Sequence, residues 1–154
     1  MLLPIRNALI SNKTAAVVPF LFAFALGCSS SDPGDPATAR DFPAQPFATV
    51  TSDSGKLHAE LRSIPQPLEQ GPNEILLTIH DAETHEPRDG LSLTVEPWMP
   101  HHGHGSSAVP QVEADGNGNY LVRDVVFTMP GDWELRIQIT SPEADAFTPT
   151  VVIQ

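Results

Sequence analysis

Apolar and polar residues alternate one by one in several short runs of the second half of the chain. Sixteen prolines among 154 residues disfavour long helices, so this alternation indicates strands. The predicted strands are Leu57–Leu61, Ile75–Ile79, Leu91–Val95, Val109–Ala114, Tyr120–Phe127, Trp133–Thr140 and Thr148–Ile153. Turn residues separate them about every 8–12 positions. The sequence therefore predicts an all-β fold, an immunoglobulin-like antiparallel β-sandwich of about seven strands.

The first 27 residues have the pattern of an export signal. Arg6 and Lys13 are their only charges, and an apolar run follows from 15 to 26. This run is short for a membrane span. It ends at Gly27-Cys28, which resembles the lipobox of bacterial lipoproteins. The resemblance implies that Cys28 carries a lipid anchor; the alternative is an ordinary secretory signal in which Cys28 is incidental.

Three segments follow from this assignment. Residues 1–27 form the lipoprotein signal peptide, residues 28–54 a tether rich in Pro, Ser and Asp, and residues 55–154 the β-sandwich domain. Residue 29 is Ser and not Asp. By resemblance to Gram-negative lipoproteins, this implies an outer-membrane lipoprotein of the cell envelope that faces the periplasm.

Charge and motif content exclude several classes of function. A formal net charge of -11 repels phosphate backbones, which argues against nucleic acid as a partner. A single cysteine excludes a disulfide framework and a cysteine-based zinc site. No Gly-x-Ser-x-Gly motif occurs, and Ser106 and Ser107 lie beside histidines without forming a triad by sequence alone. We therefore expect a binding module and not an enzyme.

A histidine-rich segment, Met99-Pro-His-His-Gly-His-Gly, is the main chemical feature of the chain. Imidazole binds copper and zinc, thioether prefers Cu(I), and glycine allows the chain to fold back around an ion. A second Met-Pro pair occurs at 129–130, in a segment that suits a tight turn. The candidate metal ligands are His101, His102, His104, Met99 and Met129. The alternatives are a solvated surface loop and, for the two methionines, core packing.

Other residues of the same types are given structural roles. We expect Trp98 and Trp133 to close the core at the loop end, and His58, His80 and His85 to be isolated polar-face residues. The run Asp115-Gly-Asn-Gly-Asn119 begins like a calcium loop but lacks its later Gly and Glu. A hairpin tip is the favoured interpretation of this run.

These motifs together resemble the YtkA-like domain, which is related in general pattern to FixH-like exported proteins. The shared features are a Pro-to-Gly turn, a Met-Pro-His loop, a Gly-x-Tyr motif and a Phe-x-Met-x-Gly-x-Trp motif. In this chain they are Pro87–Gly90, Met99–Gly105, Gly118–Tyr120 and Phe127–Trp133. The resemblance implies an immunoglobulin-like sandwich exported to the envelope, and it suggests copper handling. His102 stands where the family often has Met, which shifts a site from Cu(I) toward Cu(II) or zinc.

Two functions of different classes follow. The first is a lipid-anchored envelope protein that binds copper or zinc through the histidine loop, as a metal chaperone or buffer, with no other cofactor. The second is a metal-free module that recognises another envelope protein through a sheet edge or loop face.

Overall fold

The computed structural model describes residues 40–154, and none of these forms a helix. The predicted signal peptide, Cys28 and the first part of the tether lie outside the described residues. The strands are β1 (Ala48–Thr51), β2 (Leu57–Ile64), β3 (Gly71–Asp81), β4 (Ser92–Met99), β5 (His104–Gly105), β6 (Gln111–Gly116), β7 (Asn119–Phe127), β8 (Gly131–Ser141), β9 (Asp145–Phe147) and β10 (Thr150–Ile153). No helix within the described range is long and apolar enough to span a membrane.

The strands form two five-stranded sheets, and every pairing is antiparallel. The first sheet has the order β1-β2-β3-β7-β6. The second has the order β10-β8-β4-β5, and β9 also pairs with β8. The prediction of an all-β sandwich is confirmed. The three strands beyond the predicted seven are β1, β5 and β9, which are all short.

The core lies between the two sheets and is built from the alternating apolar residues. Strand β2 shows the principle, because every second residue from Leu57 onward is buried. Trp133 is fully buried and packs edge-on against Phe127, with ring centroids 5.3 Å apart. Trp98 differs from the expectation. It is only partly buried, and its ring lies 4.4 Å from the guanidinium carbon of Arg136 in a cation–π contact.

The sandwich begins before residue 55, because β1 lies within the range predicted as tether. Its residues pair with β2, from Ala48 opposite Leu61 to Thr51 opposite His58. Phe47 and Val50 pack against the core and give this short strand its anchor. Prolines before β1 and its length of four residues hide the alternation in the sequence.

The predicted hairpin tip is confirmed between β6 and β7. Gly116, Asn117 and Gly118 all have positive φ, at 80°, 51° and 74°. Glycine and asparagine tolerate this left-handed conformation better than other residues do.

Candidate metal site

The histidine-rich segment is a tight hairpin that joins β4 to β5. Met99 lies opposite His104, and Trp98 lies opposite Gly105. At the tip, the carbonyl oxygen of Met99 accepts the N–H of Gly103 at 2.9 Å and of His102 at 3.2 Å. These bonds hold the histidines in an ordered turn.

Two glycines allow this hairpin to close. Gly103 has a φ of +67°, which suits glycine at the reversal of the chain. Gly105 has another role: a Cβ there would lie 2.8 Å from the carbonyl oxygen of Pro97 and 3.3 Å from the ring of Trp98. A side chain at Gly105 would therefore push β5 away from β4.

The imidazoles of His102 and His104 lie side by side on this hairpin, with ring centroids 5.7 Å apart and planes inclined by 55°. Two imidazoles that bind one ion at about 2.0–2.1 Å have ring centres roughly 5 Å apart, so the pair is close to a chelating separation. All three histidines of the hairpin are exposed, His101 among them. The pair therefore faces solvent, from which an ion would arrive.

The tautomer of His104 follows from its hydrogen bond. Its Nδ1 lies 3.2 Å from the carbonyl oxygen of Gly105. A carbonyl oxygen only accepts hydrogen bonds, so Nδ1 carries the proton of the neutral ring. The lone pair of Nε2 is then free for a metal ion, which is the usual arrangement of a metal-binding histidine.

The two methionines lie at the base of the hairpin. Met99 is only 2% exposed and belongs to the core, and a Cβ at Gly131 would lie 3.0 Å from its Cε. Met129 is half-buried against the same core, and its carbonyl oxygen accepts the Nε1–H of Trp133 at 3.1 Å. The two Met-Pro segments thus meet at one end of the sandwich. The burial of Met99 favours packing over ligation.

Within residues 40–154, no group of three or more His, Cys, Asp or Glu side chains is arranged as a ready-made metal site. The hairpin therefore presents a chelating pair of imidazoles with a third close in sequence.

The comparisons with known proteins give the family. The YtkA-like family model matches residues 51–138, which is more than half of the chain. This chain belongs to the YtkA-like family. No curated protein matches its sequence. A solved structure with a related fold is a copper-bound variant of FetP from uropathogenic Escherichia coli strain F11, at 12% identity and a TM-score of 0.40. The alignment covers 70% of this chain and 94% of FetP. Nothing about the metal of FetP is transferred at this level of similarity.

The Gly-x-Tyr motif of this YtkA-like domain has a structural role. A Cβ on Gly118 would collide with the carbonyl oxygen of Ile79 and would crowd the backbone of Pro87 and Arg88. The N–H of Gly118 also donates to Oδ1 of Asp89 at 2.7 Å. The motif thus ties the β6–β7 hairpin to the loop between β3 and β4.

The YtkA-like domain has a second group of histidines that the sequence separates. His58, His80 and His85 line one surface pocket of about 350 Å³, together with Thr49 and Glu60. The expectation that these histidines are isolated is therefore wrong. Their proximity depends on the register of β2 with β3, which no local sequence pattern reveals.

Proposed function

We propose that this YtkA-like protein is a lipid-anchored envelope protein that binds copper or zinc through His101, His102 and His104. Its role is that of a metal chaperone or buffer and not of an enzyme. The observation that carries this proposal is the pair of adjacent imidazoles, His102 and His104, with Nε2 of His104 free.

The donor set favours a borderline divalent ion. Imidazole suits Cu(II) and zinc, and Cu(II) binds most tightly among the first-row divalent ions. An exposed hairpin suits a carrier, because a partner protein can approach the ion and exchange ligands with it. The acidic chain, at formal net charge -11, favours the accumulation of cations near its surface. The thioethers of Met99 and Met129, which the sequence suggests as further ligands, require a separate test.

The metal-binding proposal is tested by titration of the full chain in detergent with Cu(II), followed by calorimetry and by NMR of the histidine rings. Binding should broaden the ring signals of His102 and His104. Replacement of all three hairpin histidines by Ala should remove the binding equivalent of the hairpin and leave the β-type circular dichroism unchanged. The matched control, Ser106→Ala with Ser107→Ala, should bind as the wild type does.

A triple His variant with the stoichiometry and affinity of the wild type would contradict this assignment. The metal-free interaction module would then take its place, and a search for an envelope protein partner would follow.

The lipid anchor is tested separately. Radiolabelled palmitate should enter the full-length protein, and Cys28→Ser should abolish the labelling. Fractionation should place the wild type in the outer membrane. Equal labelling of both proteins, or a wild type found wholly in the soluble periplasm, would contradict the anchor.

A further inference from the structure

Two histidines lie opposite each other on the outer face of the first sheet. His58 on β2 and His80 on β3 are register partners, and both are half-buried. Directly opposed residues of an antiparallel pair have Cβ atoms about 4.5–5.5 Å apart, so the two imidazoles leave the sheet as neighbours.

A third histidine is brought to the same place by the turn after β3. The N–H of His85 donates to the carbonyl oxygen of Asp81 at 3.0 Å, and an isolated bridge pairs His80 with Pro87. His85 has a φ of 59°, a conformation that is uncommon for a residue other than glycine. The turn thus holds a histidine in a costly conformation beside the other two.

Asp81 keeps this turn in shape. Its Oδ1 accepts the N–H of Thr84 at 3.1 Å and of Glu83 at 3.0 Å. These backbone hydrogen bonds lower the pKa of the Asp81 carboxyl, which stays ionised at neutral pH.

The remaining polar groups of the pocket leave the imidazoles as its donors. Glu60 contributes negative charge, but its Oε2 is already bound to Nη2 of Arg62 at 2.6 Å. Nδ1 of His58 lies 3.0 Å from the hydroxyl oxygen of Thr51. This hydroxyl can accept the Nδ1–H, which leaves Nε2 of His58 free for an ion.

We propose that His58, His80 and His85 form a second metal site for a divalent ion that prefers imidazole, Cu(II) or zinc. Three imidazoles and a water molecule are a known four-coordinate set for zinc. The rings line one pocket of about 350 Å³. Binding would turn them toward a common point about their side-chain torsions.

This site is distinct from the histidine hairpin and does not rest on the proposed function. His80 lies near the end of β3, and the chain then passes through a loop to the start of β4. The hairpin lies at the far end of β4 and in the other sheet. The two sites are therefore separated by about the length of β4, roughly 25 Å.

The test uses the full chain in detergent, with the three hairpin histidines replaced by Ala so that only the second site remains. Titration with Cu(II) and, separately, with Zn(II) should show one equivalent bound. Zn(II) should shift the ring nitrogen signals of His58, His80 and His85 together. The further change His85→Ala lies in an exposed turn, and it should weaken binding about tenfold or more. The matched control Thr49→Ala lines the same pocket and should leave the affinity unchanged.

The outcomes separate the two sites. If the wild type binds one equivalent and the hairpin variant binds none, the second site is overturned and the hairpin stands. If the hairpin variant binds one equivalent that His85→Ala does not weaken, or if Zn(II) shifts other rings, the second site is also overturned. Loss of one equivalent in each variant supports both.

Discussion

The hydroxyl of Tyr120 donates a hydrogen bond to the carbonyl oxygen of Arg88 at 2.7 Å. It also accepts the N–H of Leu91 at 3.0 Å. Tyr120 is buried in the core on β7, whereas Arg88 and Leu91 belong to the loop between β3 and β4. One side chain of the Gly-x-Tyr motif therefore fixes the loop that crosses from one sheet to the other.

We predict that Tyr120 titrates late. Burial raises the pKa of the phenol above its ordinary value of 10.0, although the N–H of Leu91 acts in the opposite direction. Tyr120 is the only tyrosine of the chain, so phenolate absorbance reports it directly. The folded state holds this proton more tightly than the unfolded state. The contribution to the free energy of unfolding is therefore complete below the unfolded pKa and is lost as the pH rises through the folded one.

Tyr120→Phe is the control for this titration. It should remove the phenolate signal and its part of the alkaline pH dependence. It should also lower the free energy of unfolding by about 1–3 kcal/mol, because Arg88 and Leu91 each lose a partner. A wild-type midpoint at or below 10 would contradict the prediction.

A pair of glycine variants separates backbone strain from steric collision. Gly116 and Gly118 both have positive φ, at 80° and 74°. A Cβ on Gly116 meets nothing within 4 Å, whereas one on Gly118 collides with the carbonyl oxygen of Ile79. Gly116→Ala should lower the free energy of unfolding by about 1 kcal/mol. Gly118→Ala should lower it by about 3 kcal/mol or more, measured by urea denaturation. Equal effects of the two variants would show that the hairpin moves away from β3.

The long strands could be predicted from the sequence because their signal is local. Each of the seven predicted runs coincides with a strand, since one face of each is buried and alternation records that burial. The short strands carry no such signal. β5 has two residues, and its pairing depends on Gly105 lying flat on β4.

The candidate sites show the same division. The histidine hairpin could be found because its residues are adjacent in sequence, but the chelating pair within it could not be chosen. His58 and His80 are joined only by strand register, and His85 only by a left-handed turn. The residue type of Trp98 favours the core, but its place on β4 puts it on the outer face beside Arg136.

Acid should weaken the link between β9 and the turn before β2. Burial raises the pKa of the Asp145 carboxyl, but hydrogen bonds from Ser54, Ser52 and the N–H of Ala146 outweigh it and lower the pKa below 3.8. Its stabilising contribution is complete above the unfolded pKa and is lost as the pH falls through the folded one. Asp145→Asn should therefore flatten the acid limb of the free energy of unfolding, measured by urea denaturation from about pH 6 to 2.

Glu143→Gln is the matched control for Asp145→Asn. Glu143 is paired with Lys56 at 3.1 Å, but both side chains are largely exposed. Such pairs contribute about 0–1 kcal/mol, so this variant should keep the acid limb of the wild type. A flattened limb in Glu143→Gln and an unchanged one in Asp145→Asn would reverse the assignment.

The role of Met99 is decided by two substitutions. Met99→Ala should lower the free energy of unfolding by about 2–5 kcal/mol, because it opens a cavity beside Gly131. Met99→Leu keeps nearly the same volume and should cost less than about 1.5 kcal/mol, but it removes the thioether. Because Met99 is only 2% exposed, we expect Met99→Leu to bind Cu(I) and Cu(II) as the wild type does. Urea denaturation measures the stability, and competition with chromophoric chelators measures both affinities. A stable Met99→Leu variant with weakened Cu(I) binding and intact Cu(II) binding would identify the thioether as a ligand, since sulfur is the softer donor.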